Sequence, residues 1–207
     1  IFHLAEIQFN GSIPREIGQL KFLTDLALCS NKLNGSILTS LCKLSRLVSL
    51  LLYNNSLSGS IPLELGKLRN LVEVYLDNNC LTDNWLFGSI PPELGNLRNL
   101  VEVHLDTNRL TGPIPSTFGN LKNLSLLYIF NNNLSGLIPE EIRNLYSLIK
   151  LGLSQNQLNG SIPISLGSLS NLETLFLRTT NSQAFAMVDH LNTSQQMTTS
   201  LSSKSIK

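Results

Sequence analysis

A short motif, a glycine followed two positions later by an isoleucine, recurs at a nearly constant interval along most of the chain. The glycines of the motif are Gly11, Gly35, Gly59, Gly88, Gly112, Gly136 and Gly160. The interval is constant up to Gly59 and again from Gly88 onward, and it is longer only between these two glycines. A repeat of this length cannot bury its own apolar side, so several repeats must stack and share one core. The period therefore predicts a solenoid.

The apolar residues occupy the same positions in each repeat. Val103 and Leu105 alternate with polar neighbours, which is typical of a strand that buries one face. We expect one strand per repeat and a parallel concave sheet. The Ile-Pro pairs that follow hold the chain extended and predict a mostly irregular or 3-10 convex side. The predicted fold class is thus an α/β-type solenoid, a right-handed superhelix of about seven 24-residue repeats over residues 1–180, with an imperfect first and last repeat.

An asparagine follows the strand segment in most repeats. The side-chain amide of asparagine both donates and accepts hydrogen bonds, so it can pair backbone groups where the chain turns inward. We interpret these residues as a structural turn ladder. In the long interval, either Asn79 or Asn84 fits the position. The ladder residues are Asn31, Asn55, Asn79, Asn108, Asn132 and Asn156.

The sequence LTGPIPSTFGNL, from Leu110 to Leu121, resembles the repeat of plant extracellular leucine-rich-repeat proteins. Segments such as GSIPPELGNLRNL are most similar to the ectodomains of leucine-rich-repeat receptor-like protein kinases. The resemblance implies a binding module on the extracellular side of the plasma membrane or in the cell wall. Its partners would be a peptide ligand or a co-receptor ectodomain. Receptor-like proteins without a kinase and inhibitors of microbial cell-wall-degrading enzymes share this repeat and remain alternatives.

The outward positions of the predicted strands contain several aromatic and acidic residues. Aromatic side chains on a rigid surface are frequent interface anchors, and neighbouring carboxylates favour a cation between them. We therefore expect a ligand segment that carries Lys or Arg to cross the middle repeats. The candidate partner-binding residues are Tyr53, Glu73, Tyr75, Asp77, Glu102, His104, Asp106, Tyr128 and Phe130.

The extra length of the long interval suggests a second candidate contact. This insertion brings Trp85 and Phe87 into a loop, where they could touch a ligand. Alternatively, the loop is simply longer and its aromatic residues pack against the solenoid.

Composition and motifs argue against several other functions. The formal net charge is only +1, and 14% of the residues are charged, which does not suit a nucleic-acid-binding protein that relies on a basic patch. Phosphate-binding loops and kinase triplets are absent from the sequence. We expect no catalysis, no cofactor and no metal site in this chain. All three cysteines are expected to be unpaired, with Cys29 partly exposed.

Two further features concern processing and boundaries. Asn-x-Ser/Thr sequences favour passage through the secretory pathway.

Residues 181–207 are rich in Ser, Thr and Gln and are expected to form a disordered tail. Because the chain begins at Ile1 without a leader, we expect it to be a fragment of a longer protein. The glycosylation candidates are Asn10, Asn34, Asn54, Asn123, Asn133 and Asn159, with a further sequence at Asn192.

Overall fold

The computed structural model describes residues 1–79 and 85–177 of the chain. Within them, eight short strands form one parallel sheet in which the strands follow one another in chain order. Each of the middle strands buries its central apolar residue, as Val103 does, and leaves its two neighbours half-buried on the other face. The strands of this concave sheet are Phe2–His3, Asp25–Ala27, Ser49–Leu51, Glu73–Tyr75, Glu102–His104, Leu126–Tyr128, Lys150–Gly152 and Thr174–Phe176.

A second set of strands, which the sequence did not predict, follows the turns at the end of each concave strand. It forms a three-stranded and a four-stranded parallel sheet, joined by an isolated bridge between Gly59 and Leu86. The three strands of the first sheet are Asn10–Ser12, Lys32–Ser36 and Ser56–Ser58. Those of the second are Phe87–Ser89, Arg109–Gly112, Asn133–Gly136 and Gln157–Leu158.

The convex side of the described repeats consists of seven five-residue 3-10 helices. Six of them begin directly after the proline of an Ile-Pro pair, whose fixed φ holds the preceding backbone extended. Gly95 lets successive helices stack closely, because a Cβ there would lie 2.4 Å from the carbonyl oxygen of Thr117. The helices are Arg15–Gln19, Thr39–Lys43, Leu63–Lys67, Pro92–Asn96, Ser116–Asn120, Glu140–Asn144 and Ile164–Ser168.

Leucine and isoleucine side chains from all three surfaces meet in a single core that extends from Ile13 to Leu172. The buried asparagines border this core. Asn132 is representative, since its Nδ2 donates to the carbonyl oxygens of Leu105, Ile129 and Phe130 at 3.0 to 3.2 Å. Its Oδ1 accepts from the backbone N–H of Leu110 at 2.9 Å. One side chain thus pairs four backbone groups of two successive repeats.

The turn ladder changes at the insertion. Asn79 fills the turn position there, since its Nδ2 donates to the carbonyl oxygens of Leu52, Leu76 and Asp77 and its Oδ1 accepts from Leu57. In the next repeat, Asn108 makes its three donor bonds, but its buried Oδ1 accepts no hydrogen bond within the described part of the chain. The ladder is therefore one bond weaker at this point.

The insertion does not interrupt the concave sheet. Strand Glu73–Tyr75 pairs directly with strand Glu102–His104, with Tyr75 opposite His104, although the long interval separates these strands in sequence. The extra residues of the long interval therefore fall in the sequence between these two paired strands, outside their register. Asn84 and Cys80 lie outside the described residues, as does the predicted tail at 181–207. The concave face consequently keeps its regular columns through the middle repeats.

The expected partial exposure of Cys29 is wrong. Its strand end is covered by the neighbouring repeat, which leaves the residue 5% exposed. Cys29 and Cys42 are both unpaired thiols. None of the helices in the described ranges has the length and apolar character needed to cross a membrane.

Candidate functional site

The candidate site is the part of the concave face that lies over the middle repeats. In each strand the central residue points into the core, so the residues on either side of it point to the concave surface. The register places Glu73 opposite Glu102, and it places His104 between Tyr75 and Tyr128. Side chains that belong to successive repeats, and are far apart in sequence, are therefore direct neighbours.

Five ring-bearing residues form a continuous series on this face, which we name the aromatic stripe: Tyr53, Tyr75, His104, Tyr128 and Phe130. Successive ring centroids are separated by 6.1, 4.1, 5.2 and 5.6 Å. All five residues are half-buried, because each ring shields part of the next. The stripe is thus a pre-packed surface whose rings lose little freedom when a ligand binds.

Gly152 forms the C-terminal border of the stripe. A Cβ atom at this residue would lie 2.9 Å from Cδ1 of Tyr128 and 3.0 Å from Cδ1 of Phe130. Both rings therefore lean over bare backbone and occupy the space that a side chain would take. The repeat pattern gave Gly152 no such role, and only the unusual absence of a side chain in an outward strand position could have indicated it.

Two glutamates line one edge of the stripe. Glu73 accepts a hydrogen bond from the Ser49 hydroxyl at 2.9 Å, and Glu102 accepts one from the Tyr75 hydroxyl. Glu102 also lies 3.8 Å from Nε2 of His104. Burial, the hydrogen bond to Glu102 and the nearby acidic charges raise the pKa of Tyr75, so its hydroxyl stays protonated and acts as a donor.

Two aspartates, Asp77 and Asp106, lie at the other edge. The sequence places both in outward strand positions, but Asp106 is only 8% exposed and Asp77 is half-buried. Burial, with the nearby Asp106 carboxylate, raises the pKa of Asp77 to about 7, and burial raises the pKa of Asp106 to about 6. Burial also lowers the pKa of His104 against the opposing effect of Glu102, so its imidazole is mainly neutral at pH 7.

The acidic residues of this face have no Lys or Arg partner within the described ranges. Arg15–Glu16 is the sole Lys or Arg ion pair found there, and it lies far from the stripe in the first convex helix. Glu73, Glu102 and Asp77 therefore present acidic groups to the concave surface, and neither they nor the buried Asp106 have a neutralising Lys or Arg among the described residues. A ligand with a positive charge would complement them.

Trp85 and Phe87, the second candidate contact, lie on another surface. Phe87 begins a strand of the second sheet and is 55% exposed, and Trp85 is half-buried under the guanidinium of Arg109, 4.6 Å from the ring centroid. Trp85 and Arg109 border a groove of about 360 Å³ that continues along the asparagine and glutamine side chains of the following repeats. The structure does not bring these aromatic residues to the stripe.

The glycosylation candidates differ in their surroundings. Asn10, Asn34, Asn123, Asn133 and Asn159 are exposed. Asn54 is half-buried, donates from Nδ2 to the Ser30 hydroxyl at 3.2 Å, and accepts from Asn78 at 3.3 Å. A glycan on Asn54 would attach to the Nδ2 that makes the first of these bonds, so Asn54 is the least suitable of the six. Asn192 lies outside the described residues.

Comparisons with known families and structures agree with this architecture. The family model described as leucine rich repeat matches residues 98–158, and a second model of the same description matches residues 46–68. A comparison with curated proteins finds no match.

Several solved structures are similar over most of the chain. The ectodomain of the Arabidopsis thaliana membrane receptor kinase GASSHO1/SCHENGEN3, in complex with CASPARIAN STRIP INTEGRITY FACTOR 2, is 40% identical, with a TM-score of 0.78 over 82% of this chain and 20% of that chain. The Arabidopsis receptor kinase HAESA, in complex with the peptide hormone IDA and the co-receptor SERK1, is 39% identical, with a TM-score of 0.76 over 82% of this chain and 28% of that chain.

A plant ice-binding protein is 33% identical, with a TM-score of 0.75 over 86% of this chain and 56% of that chain. The chain therefore spans a fifth to a little over a quarter of the length of the two receptor ectodomains.

Proposed function

Because the chain is a leucine-rich-repeat protein similar to the ectodomains of plant receptor kinases, we propose that its concave face binds a peptide ligand or a partner ectodomain. The observation that carries this proposal is the aromatic stripe, flanked on both sides by acidic residues that have no Lys or Arg partner in the described ranges. No chemical step is assigned to the face, since an open concave sheet does not enclose a substrate away from water.

The chemistry of the face specifies the kind of ligand. The rings of Tyr75 and Tyr128 offer a flat apolar surface for one side chain of the ligand. Glu102, at one edge of the stripe, attracts a Lys or Arg of the same ligand, and Asp77, at the other edge, does so in its ionised form. The proposed ligand is thus an extended peptide segment with an apolar and a basic side chain, lying across the repeats between residues 49 and 130.

The similar solved structures also support a peptide or protein ligand. GASSHO1/SCHENGEN3 and HAESA were each solved with a bound peptide or protein factor, and the HAESA complex also contains a co-receptor. We propose that the present chain is likewise part of a receptor-like kinase and lies on the extracellular side of the plasma membrane. In this proposal the chain is a glycoprotein that takes part in signal transduction through segments beyond the repeats.

A peptide library tests the proposed function. The immobilised full chain is incubated with a synthetic positional-scanning library of short peptides in a buffer that contains EDTA, and the affinity of the selected peptide is measured by titration. We expect the selection to favour Lys or Arg at one position and Leu, Ile or Phe at another. We expect the affinity to fall as salt rises, because exposed charges are screened over about 8–10 Å at physiological ionic strength.

Variants locate the site. Tyr75→Ala should weaken binding at least about tenfold, and more than Glu73→Gln does, because packed anchors contribute more than peripheral charges. Tyr146→Ala is the matched control, since Tyr146 is a 61% exposed tyrosine outside the concave sheet. Equal affinities for all of these variants would place the binding site on another surface and contradict the proposal.

A further inference from the structure

Three residues of the concave face come together in a way that the sequence did not suggest. Asp77, His104 and Asp106 each offer one ligand atom, and these atoms all lie within 4.8 Å of one another. Asp77 belongs to one repeat and the other two belong to the next, so the cluster depends on the register that survives the insertion. From the sequence we expected no metal site.

The polar atoms of this cluster are poorly paired. Oδ1 of Asp77 and Nε2 of His104 are both buried and have no hydrogen-bond partner among the described residues. Asp106 is more than nine-tenths buried, and its carboxylate accepts a hydrogen bond from the adjacent Thr107 hydroxyl at 3.2 Å. Buried polar atoms without a partner cost free energy, and a bound ion would supply the missing partner.

We propose that Asp77, His104 and Asp106 bind a divalent transition-metal ion, with Zn²⁺ as the best match to the ligands. An imidazole nitrogen together with two carboxylate oxygens suits Zn²⁺, whereas Ca²⁺ and Mg²⁺ prefer sites made of oxygen alone. Zinc takes His nitrogen and carboxylate oxygen at about 2.0–2.2 Å, so small side-chain rotations close the cluster around the ion. Glu102 lies 3.8 Å from the same Nε2 and adds a further carboxylate beside the cluster.

Three protein ligands leave at least one coordination position of a tetrahedral ion open. Because the cluster lies on the concave face, this position is available to water or to a carboxylate or imidazole of a bound partner. The metal site does not depend on the peptide-binding proposal, since the ion is expected to bind the chain without any peptide.

A metal titration tests the site. The full chain is stripped with EDTA, dialysed against metal-free buffer, and titrated with Zn²⁺ by calorimetry and with Co²⁺ by visible absorption. We expect one ion per chain and absorption bands that report nitrogen and oxygen ligands around Co²⁺. Ca²⁺ at the same concentration should give no binding signal.

His104→Phe keeps a ring between Tyr75 and Tyr128 but removes the nitrogen ligand, and Asp106→Asn keeps the shape of the aspartate. Each should weaken Zn²⁺ binding at least about tenfold, with circular dichroism confirming that the fold is retained. His3→Phe makes the same change in the first concave strand, outside the cluster, and should leave the affinity unchanged. Absence of saturable binding to the wild type, or equal affinity in His104→Phe and Asp106→Asn to that of the wild type, would overturn the proposal.

Discussion

The hydroxyl of Tyr75 donates a hydrogen bond to the carboxylate of Glu102 across two adjacent concave strands. The same carboxylate lies 3.8 Å from His104, whose ring centroid is 4.1 Å from that of Tyr75. One acidic group therefore connects two rings of the aromatic stripe. Because the rings are held from their polar ends as well as by stacking, the stripe presents a fixed surface instead of independent side chains.

This connection predicts a specific effect of Tyr75→Phe. The change keeps the ring but removes the donor, so Glu102 interacts more strongly with a protonated His104 and the pKa of His104 rises. The pKa of His104, followed by NMR titration of its imidazole signals, should be higher in Tyr75→Phe than in wild type. An unchanged or lower pKa would mean that the Tyr75 hydroxyl does not moderate the charge of Glu102.

The asparagine ladder predicts graded losses of stability. Asn132→Ala removes four hydrogen bonds to buried backbone groups and should lower the free energy of unfolding by about 1–3 kcal/mol or more. Asn108→Ala should cost less, because the Oδ1 of Asn108 has no partner to lose among the described residues. Asn133→Ala, at an exposed neighbour, serves as the control. Urea denaturation measures all three, and equal losses for Asn132→Ala and Asn133→Ala would contradict this account of the ladder.

Two glycine substitutions should separate stability from binding. Gly95→Ala places a Cβ against the backbone carbonyl of Thr117, which cannot rotate away, and should cost about 1–3 kcal/mol of stability. Gly152→Ala meets the rings of Tyr128 and Phe130, which can rotate, so it should change stability little but weaken binding of the selected peptide. Thermal melts and peptide titrations of both variants distinguish them, and the reverse pattern would show that the rings over Gly152 are not part of the binding surface.

The buried aspartates predict how stability depends on pH. Their pKa values, about 7 for Asp77 and about 6 for Asp106, exceed the value of about 3.9 expected in the unfolded chain. The folded chain thus binds these protons more tightly, and this stabilisation is complete below about pH 4 and is lost as the pH rises through 6 to 7.

Asp106→Asn removes one of these titrations. In EDTA, the melting temperature of Asp106→Asn should be close to that of wild type at about pH 4 and above it at pH 8. A difference that stays constant between the two pH values would show that Asp106 does not titrate in the folded chain with a raised pKa.

The sequence predicts the fold well because the same apolar positions recur in each repeat. The alternation around Val103 fixes which side chains enter the core, and the confirmed parallel sheet follows from stacking such units. The strands that follow the turns, such as Arg109–Gly112, were missed because they show little alternation and form only where neighbouring repeats come side by side.

The sequence predicts which residues share the concave face, but it does not predict how deeply they are buried or which of them are in contact. The alternation along the strand indicates that the side chain of Asp106 points away from the core. Its burial, however, depends on how far the neighbouring repeat covers it. The closeness of Asp77 to His104 depends on the register across the insertion, which the spacing alone left open between two alignments. These features arise between repeats, where a single sequence gives the weakest information.

The central claim, that ligand binds the aromatic stripe, is tested most directly by hydroxyl-radical footprinting with mass spectrometry. Tyrosine, histidine and phenylalanine side chains report their own exposure, so the stripe and the control Tyr146 are read in one experiment on the full chain. With the library-selected peptide bound, we predict that oxidation of Tyr75, His104 and Tyr128 falls while that of Tyr146 does not change. Protection confined to Trp85 and Phe87, with the stripe equally oxidised in both states, would contradict the account.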